Sequence, residues 1–293
     1  MKKLLSAAVL AASVATAQAS PPKPIMWEVS DGDNSVYLLG SFHLLQEDDY
    51  PLSASVDAAF ADAEVVFFEV PPEEMNDQAG VAKLMLKLGA NPAGVTLQSK
   101  LKPETWAKLE KYMASNQMPI ANFQGMKPWL VSMILSVTQL QNAGLKAELG
   151  LDKHFMTLAA EAKKPTRGLE SIESQFQLFD NMTAAQQDDF LSQTIDESND
   201  SNGTVEKMHS LWRNAKDKVL LTTLVADMKK DTPELYKSLN IDRNQAWAPQ
   251  IRKFLDENHQ DDALVVVGSM HLLGKDGVVD LLKKEGYKVK RLK

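Results

Sequence analysis

The same short motif occurs near both ends of the chain, and it limits the folds that the chain can adopt. Residues 40–45 read GSFHLL and residues 268–273 read GSMHLL. Each copy follows an apolar run, VYLL in one case and ALVVV in the other, of the kind that forms a buried strand. A glycine at the start of each copy allows a sharp turn as the chain leaves a sheet. The motif therefore predicts two similar strand ends that present His43 and His271.

Strand-type and helix-type patterns occupy different parts of the sequence. Short runs rich in Val, Tyr, Phe or Leu occur at MWEVS, SVYLLG, EVVFFEV, PTRGLE, ALVVVGS and YKVKRL. The first two predict a hairpin across residues 31–34, which read DGDN. The segments at roughly 84–164 and 172–259 have apolar residues at helical spacing, as in Trp129, Met133, Val137 and Leu140.

This distribution predicts a mixed α/β fold. We expect one sheet formed from the N- and C-terminal strands, covered by a large helical middle region. The two GSxHLL copies would then be neighbours in space. We expect residues 20–293 to form a single domain, with the helical segments as an insertion in it.

The N-terminal residues are typical of an export signal. Lys2 and Lys3 precede an apolar run from Leu4 to about Ala17, and a small-x-small site ends at Ala19. The run is shorter than the ~20 apolar residues that a membrane-spanning helix needs. We therefore predict a signal peptide at residues 1–19, a periplasmic or secreted mature protein, and no stable membrane anchor after cleavage.

Composition excludes several classes of protein. The chain has no cysteine, so neither a disulfide nor a cysteine nucleophile is available. It has 32 Lys and Arg residues against 39 Asp and Glu residues, and the signal peptide removes two of the lysines. Because nucleic-acid binding needs clustered positive charge, we expect no nucleic-acid partner. HExxH zinc-protease and GxSxG hydrolase motifs are absent from the sequence.

Two histidines at neighbouring strand ends would suit a metal site or acid–base chemistry, because ligands collect at strand ends in such sheets. The alternative is that both are core histidines in ordinary turns. Glu69 follows the buried run VVFF, and a buried carboxylate needs a metal, a histidine or backbone donors as a partner. Glu170 follows another short strand, where it could also be a first-turn helix acid.

The segment GLDKHF adds Asp152 and His154 near a predicted helix start. A capped helix with an incidental histidine is the alternative there.

With these motifs the chain resembles the TraB/GumN family, also called TraB/PrgY/GumN. The resemblance covers nearly all of the mature chain and is carried by LLGSFH, FFE, GLDKHF, RGLESIESQ, DRN and VVVGSMHLLGKDG. It implies a fold related to erythromycin esterase-like and haem-binding ChaN-like proteins, with the GxxH histidines and glutamate at a shared site. The related Tiki branch implies metal-dependent peptide hydrolysis. We expect this shorter chain to lack that branch's membrane anchor.

The resemblance also includes Arg243 and Asn244 of the DRN segment. An arginine beside such a site could bind a substrate carboxylate or stabilise an oxyanion, and the alternative is a surface arginine stacked on Trp247.

The leading hypothesis is a hydrolase for a peptide or another small amide or ester. In it His43 and His271 hold a divalent metal (Mn, Co, Zn or Fe) with Glu69 or Glu170, and the remaining glutamate is the general base. A variant without metal, with a histidine as base, stays open. The alternative is a non-catalytic periplasmic binding protein for a peptide or haem.

We predict that export removes residues 1–19, because Ala19 completes the small-x-small site that follows the apolar run. Edman sequencing or mass spectrometry of the exported protein should give Ser20 as its first residue. An exported protein that keeps Met1 would contradict the predicted cleavage.

Overall fold

The structure is a computed structural model that describes residues 20–198 and 203–293, so the predicted signal peptide lies outside the described residues. Within these residues the chain forms a six-stranded mixed sheet that carries helices, which confirms the predicted fold class. The strands are β1 (Met26–Ser30), β2 (Ser35–Ser41), β3 (Val65–Phe68), β4 (Thr166–Gly168), β5 (Ala263–Gly268) and β6 (Lys288–Leu292).

The strand order is β4-β3-β5-β2-β1-β6, so the C-terminal strand β5 lies between the N-terminal strands β3 and β2. Strands β4, β3, β5 and β2 are parallel, and β1 pairs antiparallel with both β2 and β6. The β1–β2 pair is the predicted hairpin. β2 and β5 are direct neighbours, with Gly40 opposite Val267 and Ser41 opposite Gly268. The two motif copies therefore lie side by side, offset by one residue.

Helices surround this sheet and also form a separate layer. They are α1 (Ala54–Asp62), α2 (Pro72–Asn76), α3 (Gln78–Gly89), α4 (Pro103–Ser115), α5 (Pro128–Asn142), α6 (Leu151–Ala162), α7 (Ile172–Asp180), α8 (Ala184–Ser198), α9 (Thr204–Arg213), α10 (Asp217–Asp231), α11 (Pro233–Tyr236), α12 (Asp242–Glu257), α13 (Ser269–Leu272) and α14 (Val278–Lys284). The division of residues 20–293 into domains stays a prediction.

The alternation of side chains along the strands divides the apolar residues between two cores. On one face, Leu39 and Val266 pack with α1, α6, α9 and α10. On the other face, Leu38 and Val265 pack with α12 and α14. Helices α4, α5 and α8 share a further buried cluster, and α3, α5 and α7 share another. No helix within residues 20–198 and 203–293 is long and apolar enough to cross a membrane.

The structure gives Gly40 a different role from the predicted turn. β2 continues through Gly40 to Ser41, so the chain does not leave the sheet at the glycine. A Cβ on Gly40 would lie 2.9 Å from Ile25 Cγ2 and 2.9 Å from Ser269 Oγ. That hydroxyl donates a hydrogen bond of 2.9 Å to the Ser41 carbonyl across the β2–β5 pair. Glycine is therefore needed at position 40 for close packing between the two motif copies.

We predict that Gly40→Ala lowers the free energy of unfolding by about 1–3 kcal/mol, because the added methyl group overpacks this junction. Thermal melting followed by circular dichroism measures the change. Gly32→Ala is the matched control, since a Cβ there would meet nothing within 4 Å. The control should stay within about 0.5 kcal/mol of the wild type. Equal melting temperatures for the two variants would contradict the proposed reason for Gly40.

Candidate functional site

The predicted site residues follow the carboxyl ends of the four parallel strands. His43 lies two residues after β2, and His271 lies in α13, directly after β5. Glu69 directly follows β3, and Glu170 follows β4 by two residues. The β3–β4 pairing extends to the Glu170 N–H, which donates 2.9 Å to the Glu69 carbonyl. Because carboxyl ends of parallel strands meet at one edge of a sheet, this topology brings the four side chains together.

The two histidines lie close to one another around Gly268. A Cβ on Gly268 would be 3.5 Å from His43 Nε2, 3.6 Å from His271 Cδ2 and 3.2 Å from Glu69 Oε1. The distance between His43 Nε2 and His271 Cδ2 is therefore no greater than the sum of the first two distances. They are close enough to act at one site.

Arg243 is at the centre of the cluster, and each of its five N–H groups has an acceptor. Nη2 donates 2.6 Å to Glu69 Oε2 and 2.6 Å to Glu170 Oε1. Nε donates to Glu170 at 3.1 Å. Nη1 donates 2.9 Å to His271 Nε2 and 3.1 Å to the Leu239 carbonyl. The guanidinium thus links the ends of β3, β4 and β5.

The backbone directly before the helix of Arg243 departs from a regular α-helix. Residues Lys237–Ile241 form a π-helical turn directly before α12, and such turns are frequent at functional sites. The guanidinium also stacks over the Trp247 ring, with its carbon 4.6 Å from the ring centroid. A surface Arg243 stacked on Trp247 was the alternative to a role at the site. The structure combines that stacking with the carboxylate contacts, and Arg243 is only 12% exposed.

Glu69 is held in its ionised form. Besides Arg243, it accepts 2.7 Å from the Gly268 N–H through Oε1 and 3.1 Å from Gln175 Nε2 through Oε2. Burial would raise the pKa of Glu69, but Arg243, the two histidines and the Gly268 N–H outweigh it and lower the pKa to about 2. A carboxylate with so low a pKa is a weak base.

His271 is buried as a neutral ring. Its Nδ1 lies 2.8 Å from Asn244 Oδ1, and Asn244 Nδ2 donates 2.7 Å to the Asp276 carbonyl, which fixes the orientation of the amide. Nδ1 therefore carries the proton, and Nε2 accepts from Arg243. Burial is the main cause that lowers the pKa of His271, to about 3.

His43 has the opposite environment. Its Nδ1 lies 2.7 Å from Asp152 Oδ2, and its side chain is 60% exposed. The first turn of α6 reaches this loop because the Leu151 N–H donates 3.1 Å to the Phe42 carbonyl. The Asp152 carboxylate is the main cause that raises the pKa of His43, to about 9. Nε2, on the other side of the ring, faces Gly268 and Glu69.

His154 lies away from this cluster. Its ring is 4.8 Å from the Tyr50 ring, measured between centroids, and it does not line the cavity at His43. Burial lowers the pKa of His154. Of the pair in GLDKHF, Asp152 is the residue that contacts a site histidine.

Gln175 is a site residue that sequence reasoning did not select. Its Nε2 donates 3.1 Å to Glu69 and 2.7 Å to Glu170. The segment RGLESIESQ contains Gln175, and its position four residues after the Ser171 helix cap was the available signal. That position places the amide on the helix turn that faces both carboxylates.

Two of the predicted metal ligands are hydrogen-bonded to Arg243 in this arrangement. Arg243 donates to His271 Nε2 and to Glu69 Oε2, which are lone pairs that a metal would need. Among the described residues, no group of three or more His, Asp or Glu side chains could hold a metal ion. Metal binding therefore stays a prediction that experiment must test.

A cavity of about 480 Å³ opens beside these groups. Its polar part includes His43, Glu69, Arg243 and His271. The rest of its wall is mainly apolar. A concave apolar site with a few convergent polar groups is the usual form of a small-molecule site.

The chain is similar to one protein family and to several individual proteins. The profile of the TraB/PrgY/gumN family matches residues 25–291. The uncharacterized protein YbaP of Escherichia coli (strain K12) is 25% identical over 256 residues, which is 86% of this chain and 89% of that protein. Metalloprotease TIKI1 of Danio rerio is 21% identical over 316 residues, which covers 90% of this chain and 62% of that protein. No solved structure gives a significant match. Because the family profile covers most of the chain, this protein belongs to the TraB/PrgY/gumN family.

Proposed function

We propose that this protein is an exported hydrolase that cleaves an amide or ester bond, with His43 as the general base. The observation that carries the proposal is the His43–Asp152 pair, in which Asp152 holds Nδ1 while Nε2 faces the cavity. A histidine fixed by a carboxylate, with its other nitrogen free, is the arrangement that hydrolases use to activate a nucleophile.

In this mechanism water is the nucleophile. His43 Nε2 takes a proton from the water as its oxygen forms a bond to the carbonyl carbon of the substrate. Asp152 orients the ring through Nδ1 and stabilises the imidazolium that results. The imidazolium then returns the proton to the leaving nitrogen or oxygen as its bond to carbon breaks.

The other polar residues position this reaction centre. Arg243 has no N–H group left over, so it acts by holding Glu69, Glu170 and His271 in place. Glu69 is too weak a base to compete with His43. Its negative charge contributes to the raised pKa of His43 and so favours proton transfer to that ring.

Family membership supports a hydrolase, since one relative bears the name metalloprotease. A divalent metal remains the competing source of an activated water, and a peptide remains one candidate amide substrate. Export rests on the signal pattern of residues 1–19. The binding-only alternative predicts the same pocket without turnover.

We expect the purified mature chain to hydrolyse members of a panel of fluorogenic peptides, anilides and aryl esters in the presence of EDTA. His43→Ala should lower kcat/KM by about 10²–10⁴-fold, because the general base is lost. His259→Ala is the matched control, since this histidine is 70% exposed and pairs with Asp33. Activity in EDTA that is equal in wild type and His43→Ala would overturn the proposal.

Two other outcomes of this assay would each favour one of the alternative functions. Turnover that appears only after Mn²⁺, Co²⁺, Zn²⁺ or Fe²⁺ is added would give the metal the role assigned to His43. Complete absence of turnover, together with a visible absorption band after haem addition, would favour the binding protein.

We predict that kcat/KM rises with pH. A group whose pKa is raised keeps its proton to higher pH, so His43 becomes a base only as the pH passes its pKa. Mainly Asp152 raises that pKa from its ordinary value of 6.5 to about 9, and solvent screens the pair because the ring is 60% exposed. The midpoint should therefore lie between these two values.

Asp152→Asn is the variant that tests this cause. Loss of the carboxylate charge should move the midpoint of the pH profile towards 6.5 and lower the plateau by about 10²-fold, because the ring is no longer held in one tautomer. A stopped assay run from about pH 5 to about pH 10 measures both effects. A wild-type profile that falls as the pH rises would exclude His43 as the base.

A further inference from the structure

The wall of the cavity at His43 is unusually apolar for a site with so many ionised groups. Six partly exposed apolar side chains line it, from the loop after β2, α5, α7, the π-helical turn and α13. They are Phe42, Val137, Leu140, Phe179, Leu239 and Met270. Five separate elements contribute to it, so the apolar lining is not a single exposed residue. A concave apolar wall beside a few polar groups is the usual form of a ligand site.

Helix α5 shows how the wall arises. Its apolar stripe begins with Trp129, which is buried against Phe176 and Phe179. Two turns later Val137 is 41% exposed and lines the cavity. Leu140 lines the cavity too, and it also packs against a small buried cluster. The apolar stripe of α5 therefore extends from the core to the cavity.

The polar side of the cavity does not favour an anionic ligand. In the active form, in which His43 is unprotonated, Arg243 is the cation of this cavity, and all five of its N–H groups already have acceptors in the protein. Glu69, Glu170 and Asp152 place three carboxylates around it. In that form, and in His43→Ala, a free carboxylate on the ligand would meet these negative charges without a free donor to bind it. An uncharged carbonyl group avoids this repulsion.

We propose that this site recognises an uncharged amide or ester whose acyl group is long and apolar, with the acyl chain against Val137, Leu140 and Phe179 and the carbonyl carbon beside His43. The inference deepens the proposed function and rests on it for the position of the reacting carbonyl. The apolar wall then selects the substrate, and the His43–Asp152 pair acts on it.

Isothermal titration calorimetry with octanamide and butanamide tests the proposal in His43→Ala protein, in which the general base is absent. Each methylene buried against the wall contributes about 0.8 kcal/mol, which is roughly four-fold in affinity. Octanamide has four more methylenes, so it should bind about 10- to 200-fold more tightly than butanamide. Octanoate should bind at least about ten-fold more weakly than octanamide, because its charge meets the three carboxylates.

Val137→Lys in the same background should weaken octanamide binding by about ten-fold or more, because it puts a charged group on the apolar wall. Val219→Lys is the matched control. It changes a valine on α10 that is 50% exposed and does not line the cavity, and it should leave the affinity unchanged. Equal affinities for the two amides, or an octanamide affinity that Val137→Lys does not change, would overturn the proposal.

A different experiment tests the proposed function itself. In the wild-type protein, 4-nitrophenyl octanoate should be hydrolysed with a higher kcat/KM than 4-nitrophenyl acetate. Turnover of both esters at equal kcat/KM, with no chain-length effect on amide binding, keeps the hydrolase and overturns the apolar specificity. Tight octanamide binding without turnover of any substrate supports the apolar specificity and overturns the hydrolase.

Discussion

One buried cation holds the site together. The Arg243 guanidinium joins carboxylates that follow two different strands to a histidine that follows a third, and it stacks on Trp247. Neither carboxylate would be stable in its buried position alone, because the cost of removing a charge from water is several kcal/mol. The sheet topology brings the carboxylates together, and the arginine compensates their repulsion. The positions of Glu69, Glu170 and His271 therefore depend on this network.

The two histidines have the same motif and opposite chemistry. His43 is exposed and paired with a carboxylate, which raises its pKa, whereas His271 is buried beside a guanidinium and bonded to an amide, which lowers its pKa. For His43 the main cause is Asp152, which lies outside the motif, and for His271 the main cause is burial, while Asn244 fixes which ring nitrogen carries the proton. Two copies of a motif can thus give one ring that exchanges protons and one that remains neutral.

The strands and the strand-end residues could be predicted from the sequence, because alternation and short apolar runs report a sheet directly. The two copies of the motif meet because β2 and β5 are adjacent in the sheet. Residues that reach the site from helices were harder to predict. Asp152 and His154 both lie near the start of α6, and only the rotation of that helix decides which of them faces His43. Gln175 has no charge and no motif, so its two carboxylate contacts become visible only in three dimensions.

The position of β5 in the sheet has a consequence for biosynthesis. β5 lies between β2 and β3 in the sheet, although it begins at Ala263, far after both of them in the chain. A growing polypeptide therefore carries two apolar parallel strands whose shared neighbour does not yet exist. Their unpaired edges remain open to wrong partners until translation is almost complete. The folding of such a chain is governed by contacts between segments far apart in sequence.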